Sequence, residues 1–480
     1  MPNKEVLFGK ESKAIDVSNW YLQLIKKAEL AEYGEARGTM VIRPYAYALW
    51  ENIVSSLDSE IKAAGVKNAY FPLLIPMHLL ETEQEHVQGF SPHLAVVTHG
   101  GGKQLKEPLA VRPTSETIMY PYYSKWIQSW RDLPLLINQW NNVVRWEMRT
   151  VPFLRTTEFL WQEGHTAHAT HAESWEEVLR ALKMYERVYR DKLAIPGIAG
   201  VKSASEKFAG AENTTTLEIL MPDGKALQGC TSHDLGQNFS IPFNINFIDK
   251  DGLRKNVWQT SWGFTTRSIG AIIMVHGDDR GLRLPPEVAP IQVVIVPIKG
   301  KSVETVINQT QAMAQALKKQ GIRVLIDDRE ELSTGAKYFD WENKGVPVRL
   351  EVGVREAEGS TVTVFRRDTN TKLILHKDQI DKEVPLLLTD IQQTMLTQAE
   401  DFLKTHFFDI GDYDDFKTIM SSGRGMIRAH WCEDSACEAA IKNETKASTR
   451  CLPLDAPEEE GLCVHCQRPS THRWIFAQSY

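Results

Sequence analysis

Three prolines fall within six residues at Pro285, Pro286 and Pro290, inside the stretch LRLPPEVAP (Leu282 to Pro290). Neither a helix interior nor a central strand tolerates that density, because each proline removes a backbone donor and fixes φ. The chain must therefore change element here, and its hydrophobic pattern changes at the same place. Downstream, strand-like IQVVIVP leads to a helix near Val303–Lys319, then strand IRVLID, a helix near Ala336–Lys344 and strand VPVRLEV. That alternation predicts an α/β sheet domain. Upstream, strands and helices do not alternate regularly. Helical periodicity covers Asp16–Tyr33 and Pro44–Ala64, and KNAYFPLLIP reads as a buried strand ending at Pro76. Strand-like runs follow at Leu135–Trp146 and Glu158–His165, then a helix from about His171 to Leu193. This pattern predicts an antiparallel α+β core. A third segment opens with a helix near Val384. At 480 residues, two or three domains are expected.

Composition narrows the class. With 42% hydrophobic and 24% charged residues the chain reads as soluble and globular, and no apolar run approaches membrane-spanning length. Met1 to Trp20 is charged and lacks an apolar signal core, so a cytoplasmic location is expected. The net charge of −7 and the lack of a basic block mean that any RNA contact must come from local patches. Six cysteines do not make a disulfide framework in a chain of this size. Four of them form two close pairs, Cys432-x4-Cys437 and Cys463-x2-Cys466. Paired thiols with short internal loops can close a tetrahedron around a structural zinc. His430, His465 and His472 lie close enough in sequence to replace one ligand.

The segment Val143 to His165, VVRWEMRTVPFLRTTEFLWQEGH, carries a second constellation. Alternate residues of a strand share a face, so Arg145 and Glu147 should point together, as should Thr157, Phe159, Trp161, Glu163 and His165. A cation, aromatic rings, a carboxylate and an imidazole on one floor suit a small-molecule pocket. Periodicity alone slightly favours a sheet face packed beneath a helix, with the charges solvated at its ends. RPTSE (Arg112 to Glu116) taken alone is an ordinary helix start, and SWGFTTRSIGAI (Ser261 to Ile272) a helix N-terminus able to receive phosphate. Neither a Walker-type loop nor a dinucleotide glycine fingerprint is found.

In this order, these segments resemble the class II aminoacyl-tRNA synthetases, and specifically the prolyl-tRNA synthetase family in its archaeal/eukaryotic-like form. Gly38 to Ile53 is similar to motif 1, Val143 to His165 to motif 2, and Ser261 to Gly277 to motif 3. RPTSE and QGCTSHDLGQNF (Gln228 to Phe239) resemble prolyl-specific segments and argue against a threonyl or glycyl enzyme. The class I signatures are absent. The resemblance implies an antiparallel-sheet catalytic domain over 1–288, an α/β anticodon-binding domain over 289–382, and a small zinc-binding α+β domain over 383–480.

It also implies roles. Thr114 and Glu116 would hold the secondary amine of proline, and Arg145 would bridge its carboxylate and the α-phosphate of ATP. Phe159, Trp161 and His165 would wall the ring, with His233 and Ser261 closing the pocket. Glu147, Arg155, Thr156, Gln228, Thr231 and Arg267 would meet the nucleotide, and Glu218 its magnesium. Cys432, Cys437, Cys463 and Cys466 would hold zinc, while Glu342, Arg349, Glu351 and Arg355 would read anticodon bases. Arg349 and Glu351 could equally form a solvated cross-strand charge pattern. A homodimer acting on tRNA(Pro) is expected, and the aromatic tail Phe476–Tyr480 would tuck toward the catalytic domain. Only about 60 residues separate His168 from Gln228, too few for an inserted editing domain.

Overall fold

The computed structural model describes residues 12–82, 89, 93–298 and 303–480; the charged start read above lies outside them through residue 11. Val17–Lys27 is a helix capped by Asp16, whose side chain accepts from the Asn19 N–H. It buries Trp20, Tyr21, Leu24 and Ile25 at helical spacing. The helix predicted to reach Tyr33 stops earlier because Glu29 turns to φ 56°, and Ala31–Tyr33 is a strand. Pro44–Ala63 starts on its proline, ends before Gly65 at φ 82°, and buries Leu49, Trp50, Ile53, Leu57 and Ile61. The single strand predicted for KNAYFPLLIP is divided. Lys67–Asn68 joins one sheet and Leu74–Pro76 another, with Pro72, which lacks a donor, between them.

The core is an eleven-stranded sheet. Its central strands run antiparallel in the order Asn213–Leu220, Ala226–Gly236, Trp258–Thr265, Glu158–His168 and Leu135–Val144. The two-residue period separates the faces. Trp262 and Phe264 pack with Tyr185 of the His171–Arg187 helix, whereas Ser261, Gly263 and Thr265 line an open cavity. Burying one face under helices and leaving the other concave positions the site. A three-stranded sheet, Leu74–Pro76, Lys103–Val111 and Ala95–Gly100, lies upstream of the Glu116–Trp126 helix.

The α/β domain has five strands, ordered Val324–Ile326, Val293–Pro297, Val348–Val352, Thr361–Arg366 and Thr371–His376. The first three are parallel and the last two antiparallel. The proline-rich stretch is no loose linker. Leu282, Leu284, Val288 and Ala289 are buried in the catalytic core, and the Arg323 guanidinium donates to the carbonyls of Ala289 and Pro286. The helix near Val384 begins at Ile380 and runs to Thr405. Its apolar stripe, including Val384, Leu388 and Ile391, packs on the α/β core.

The C-terminal strands are not a separate layer. Ala447–Pro453 pairs with Ile198–Val201 through Leu452–Val201 and Pro453–Gly200, so four C-terminal strands extend the catalytic sheet. A side chain at Gly200 would collide with the Leu452 carbonyl, which makes this junction dependent on glycine. The tail follows the same path. Arg473–Gln478 is an inner strand of this extension, and the Tyr480 N–H donates to the Ala226 carbonyl at 3.0 Å.

Candidate active site

Strand register builds a row of side chains across the open face. His165 lies opposite Ser261, Ser261 opposite His233, and His233 opposite Thr214. Two residues along, Gln139, Glu163, Gly263 and Thr231 form a second row. Segments far apart in sequence thus meet because antiparallel pairing aligns them.

The rows floor a cavity of about 380 Å³, within the ordinary range for small-ligand sites. All fourteen residues expected at the proline and nucleotide sites line it: Thr114, Glu116, Arg145, Glu147, Arg155, Thr156, Phe159, Trp161, His165, Gln228, Thr231, His233, Ser261 and Arg267. Strand alternation explains only some of them. Arg145 and Glu147 lie beyond the end of their strand at Val144, in the connecting loop. Thr157, expected on the same face as Phe159, precedes the strand and instead meets Gly38, accepting no place in the cavity.

Arg145 is the central cation. Its Nε donates to the Pro113 carbonyl at 2.9 Å, and the guanidinium lies 5.5 Å from the Phe159 ring centre and 5.4 Å from that of Trp161. Burial pulls its pKa down to about 10; Glu116 and Glu163 oppose this and Arg267 adds to it. It is still charged at neutral pH. The Thr114 hydroxyl donates to the Glu116 carboxylate, holding that acid beside the cation. Arg267 donates to the carbonyls of Leu154, at 3.1 Å, and Gln228, at 3.2 Å, and burial lowers its pKa also. Arg155 and Glu147 form an ion pair at 2.8 Å across the loop, and Glu147 caps it by accepting from the Met148 and Arg149 N–H groups.

The pKa values of the two histidines are shifted in opposite directions. His233 sits 3.0 Å from the hydroxyls of both Thr214 and Thr231, and its pKa falls to about 3, chiefly through burial. Burial also pulls His165 down, but the charges of Glu116 and Glu163 and the hydrogen bond to Glu163 outweigh it, raising its pKa. Among the described residues, the Ser261 hydroxyl and Trp161 indole N–H are buried without a hydrogen-bond partner. Such groups are costly unless a ligand completes them.

Residues beyond the expected set complete the site. Glu163 accepts from Gln139 at 3.1 Å, Asn141 at 2.6 Å, the Ser115 N–H and the Ser115 hydroxyl, forming a rigid acidic support under His165. Only its alternation was legible beforehand. Glu206 and Phe208 wall the cavity, and Phe208 stacks on His233 at 4.5 Å. No periodicity points to them, because they come from an irregular turn.

Glu218 is placed differently from the magnesium role expected of it. Its carboxylate is buried between Lys202, at 2.9 Å, and Arg450, at 2.7 and 2.8 Å, and does not line the cavity. Its pKa falls to about 2: burial raises it, but Lys202 and Arg450 outweigh that. Both oxygens are committed to cations of the protein, so this side chain is a structural ion pair.

In the α/β domain, Arg349 is also internally matched. It pairs with Glu342 at 2.9 Å and Glu351 at 3.0 Å, and lies 3.9 Å from the Tyr338 ring centre. Arg349 and Glu351 are buried, which excludes the solvated cross-strand alternative, while Arg355 is exposed on the Val354–Glu358 helix. The four C-terminal cysteines converge. Cys437–Cys463 and Cys432–Cys466 sulfur separations are 3.6 and 3.4 Å, and all four ligand atoms lie within 4.8 Å of one another. Tetrahedral thiolate ligation at about 2.3 Å places sulfurs roughly 3.8 Å apart, so the cluster suits a zinc-binding module. His465 lies 3.4 Å from Cys437, outside that set.

An antiparallel sheet carrying a half-buried arginine, an acidic support and a second arginine at a helix start on one concave face is the core of a class II aminoacyl-tRNA synthetase. Residues 98–276 match the class II core domain model for the G, H, P, S and T enzymes, and 292–385 the anticodon binding domain. Residues 413–480 match the C-terminal domain of prolyl-tRNA synthetase. The chain is 49% identical to a proline–tRNA ligase of Natranaerobius thermophilus, covering 100% of this chain and 99% of the relative. It is 50% identical to that of Rubrobacter xylanophilus, covering 98% of each. A prolyl-tRNA synthetase crystal structure from Cryptosporidium parvum, complexed with halofuginone and AMPPNP, superposes with a TM-score of 0.93 at 43% identity, covering 98% of this chain and 99% of that one. The chain belongs to the prolyl-tRNA synthetase family.

Proposed function

We propose that this chain activates L-proline with ATP to prolyl-adenylate and transfers the prolyl group to the 3′ end of tRNA(Pro), releasing pyrophosphate and then AMP. The observation that carries this reading is the convergence of all fourteen expected side chains on one cavity around the half-buried Arg145. Thr114 and Glu116 accept from the secondary ammonium of proline. Phe159, Trp161 and His165 enclose its ring, and Ser261, whose hydroxyl has no other partner, closes it. His233, neutral with a pKa near 3, walls the same space without opposing the ammonium charge. Arg145 draws together the proline carboxylate and the α-phosphate, which otherwise repel. Glu147, Arg155, Thr156, Gln228, Thr231 and Arg267 hold the nucleotide, which enters as its magnesium complex.

A proline carboxylate oxygen then forms a bond to the α-phosphorus as the bond to pyrophosphate breaks. Fixed guanidinium groups stabilise charge that builds on phosphorus. A hydroxyl of the terminal adenosine of tRNA next attacks the anhydride carbonyl, and AMP leaves. Neither step needs a protein nucleophile.

The same reading extends outward. Residues 169–225 are occupied by the His171–Arg187 helix and the Ile198–Val201 and Asn213–Leu220 strands, all packed into the catalytic sheet. That supports an archaeal/eukaryotic-like form without an editing insertion, divided as 1–288, 289–382 and 383–480. Zinc would occupy the four-cysteine cluster. Exposed Arg355, together with Glu342, Arg349 and Glu351, would read the anticodon. Motif 1 would build a homodimer interface. None of the six cysteines is in a disulfide, which accords with a cytoplasmic setting, and no described helix is long and apolar enough to cross a membrane.

ATP–pyrophosphate exchange on the purified protein, with each amino acid in turn, tests this. Exchange is expected to be dominated by proline. Exchange dominated by another amino acid would overturn the pocket assignment.

A further inference from the structure

The helix Ser435–Thr445 carries the cluster residue Cys437 and, directly after it, Glu438, which is 5% exposed. The Glu438 carboxylate accepts hydrogen bonds from Ser203 at 3.3 Å, from Ser205, and from Thr449 of its own domain. One turn further, Lys442 reaches Glu206 at 3.6 Å. Ser203, Ser205 and Glu206 belong to the irregular turn that follows the Ile198–Val201 strand, and that turn continues into Phe208. Glu206 and Phe208 line the substrate cavity. The Phe208 ring stacks on His233, and its N–H donates to the Thr214 hydroxyl, which is itself 3.0 Å from His233 Nδ1. A continuous set of contacts therefore joins the cysteine-bearing helix to the wall of the cavity.

A buried carboxylate satisfied by hydroxyls contributes little net stability compared with a well-packed apolar residue. What it supplies is geometry, since each hydrogen bond fixes a turn that has no strand or helix of its own to hold it. We infer that Glu438 is a positioning residue for the proline pocket: the cysteine-bearing helix sets the turn over residues 203–208, and through Phe208 it sets the ring of His233. The inference rests on the proposed assignment of this cavity to proline. It gives the C-terminal domain a part in substrate selection as well as in folding.

The test is steady-state ATP–pyrophosphate exchange on the full, zinc-loaded chain carrying Glu438→Ala, Ser205→Ala, both, or His233→Ala. Ser205→Ala reports on the same contact from the catalytic side should Glu438→Ala fail to fold. The proline KM is expected to rise about five- to tenfold in Glu438→Ala and in Ser205→Ala. The ATP KM should stay within about twofold, with zinc content unchanged, and the double variant should add little to Glu438→Ala, because the Ser205–Glu438 contact is already lost in it. An unchanged proline KM in both single variants, with a raised one in His233→Ala, would overturn the inference and leave the pocket assignment standing. Parallel rises in both KM values with lost zinc would also overturn it, by reducing Glu438 to a folding role. An unchanged proline KM in His233→Ala would overturn the pocket assignment itself.

Discussion

Arg145 shows how much of this site depends on one side chain's shape. Its Nε donates to the Pro113 carbonyl, and its guanidinium lies beside both aromatic rings, 5.5 Å from the Phe159 centre and 5.4 Å from that of Trp161. A lysine keeps the charge but has neither the plane nor the fork. Arg145→Lys should therefore lower proline-dependent exchange by about 100-fold with little change in melting temperature, a loss typical of a removed anion-stabilising donor. Retained exchange would show that charge alone suffices there. The opposite lesson comes from Glu218. Its residue type and position beside the nucleotide segment suit a metal ligand, and its register partner is Gln228. Its actual partners are Lys202 and, 232 positions away, Arg450. Nothing local in the sequence signals a cation arriving from the C-terminal domain.

For single elements, the two-residue period of the strands carried the floor of the site. Phe159, Trp161, Glu163 and His165 face the cavity because they alternate, and Gly164 between them faces the helix layer. There Gly164 lies directly against the Trp262 ring, which is almost wholly buried, and a Cβ would overlap its atoms. Gly164→Ala should cost about 1–3 kcal/mol, read as a lowered urea midpoint at unchanged slope, since an overpacked core must shift to admit it. A neutral effect would mean that Trp262 has room to move. Elements were less legible where a backbone feature intervened. Pro72 divides an apparently continuous strand between two sheets, and Glu29 at positive φ ends a helix whose apolar periodicity runs on.

Across the whole molecule, buried histidines make stability depend on pH. His168, His233 and His276 have pKa values lowered from 6.5 to about 4, 3 and 3, each chiefly by burial. Below 6.5 the unfolded chain binds protons at these sites that the folded chain refuses, so their contribution is present above 6.5 and lost as pH falls. His165, with a raised pKa, acts in the opposite sense, stabilising below 6.5 and losing that as pH rises. With three groups against one, stability should decline from pH 6.5 downward. Glu218 continues the decline between 4.5 and about 2 as its buried carboxylate resists protonation. Urea midpoints between pH 8 and 4 measure this. A flat profile across 6.5 to 4 would contradict the buried-neutral state of the three histidines.

The class II pocket was legible only through the resemblance to a known family; local chemistry was enough to determine most of the strands and helices, where the prolines force a change of pattern, and that four thiols form two close pairs able to hold a metal. These follow from backbone sterics, periodicity and side-chain chemistry acting over a few residues. Pairing between distant segments decided the rest. It placed His165, Ser261 and His233 in one row, joined the C-terminal strands to the catalytic sheet through Gly200, and brought Arg450 to Glu218 and Glu438 to the 203–208 turn. Such contacts arise from packing and charge compensation in three dimensions, and a one-dimensional pattern does not record which buried groups will face each other.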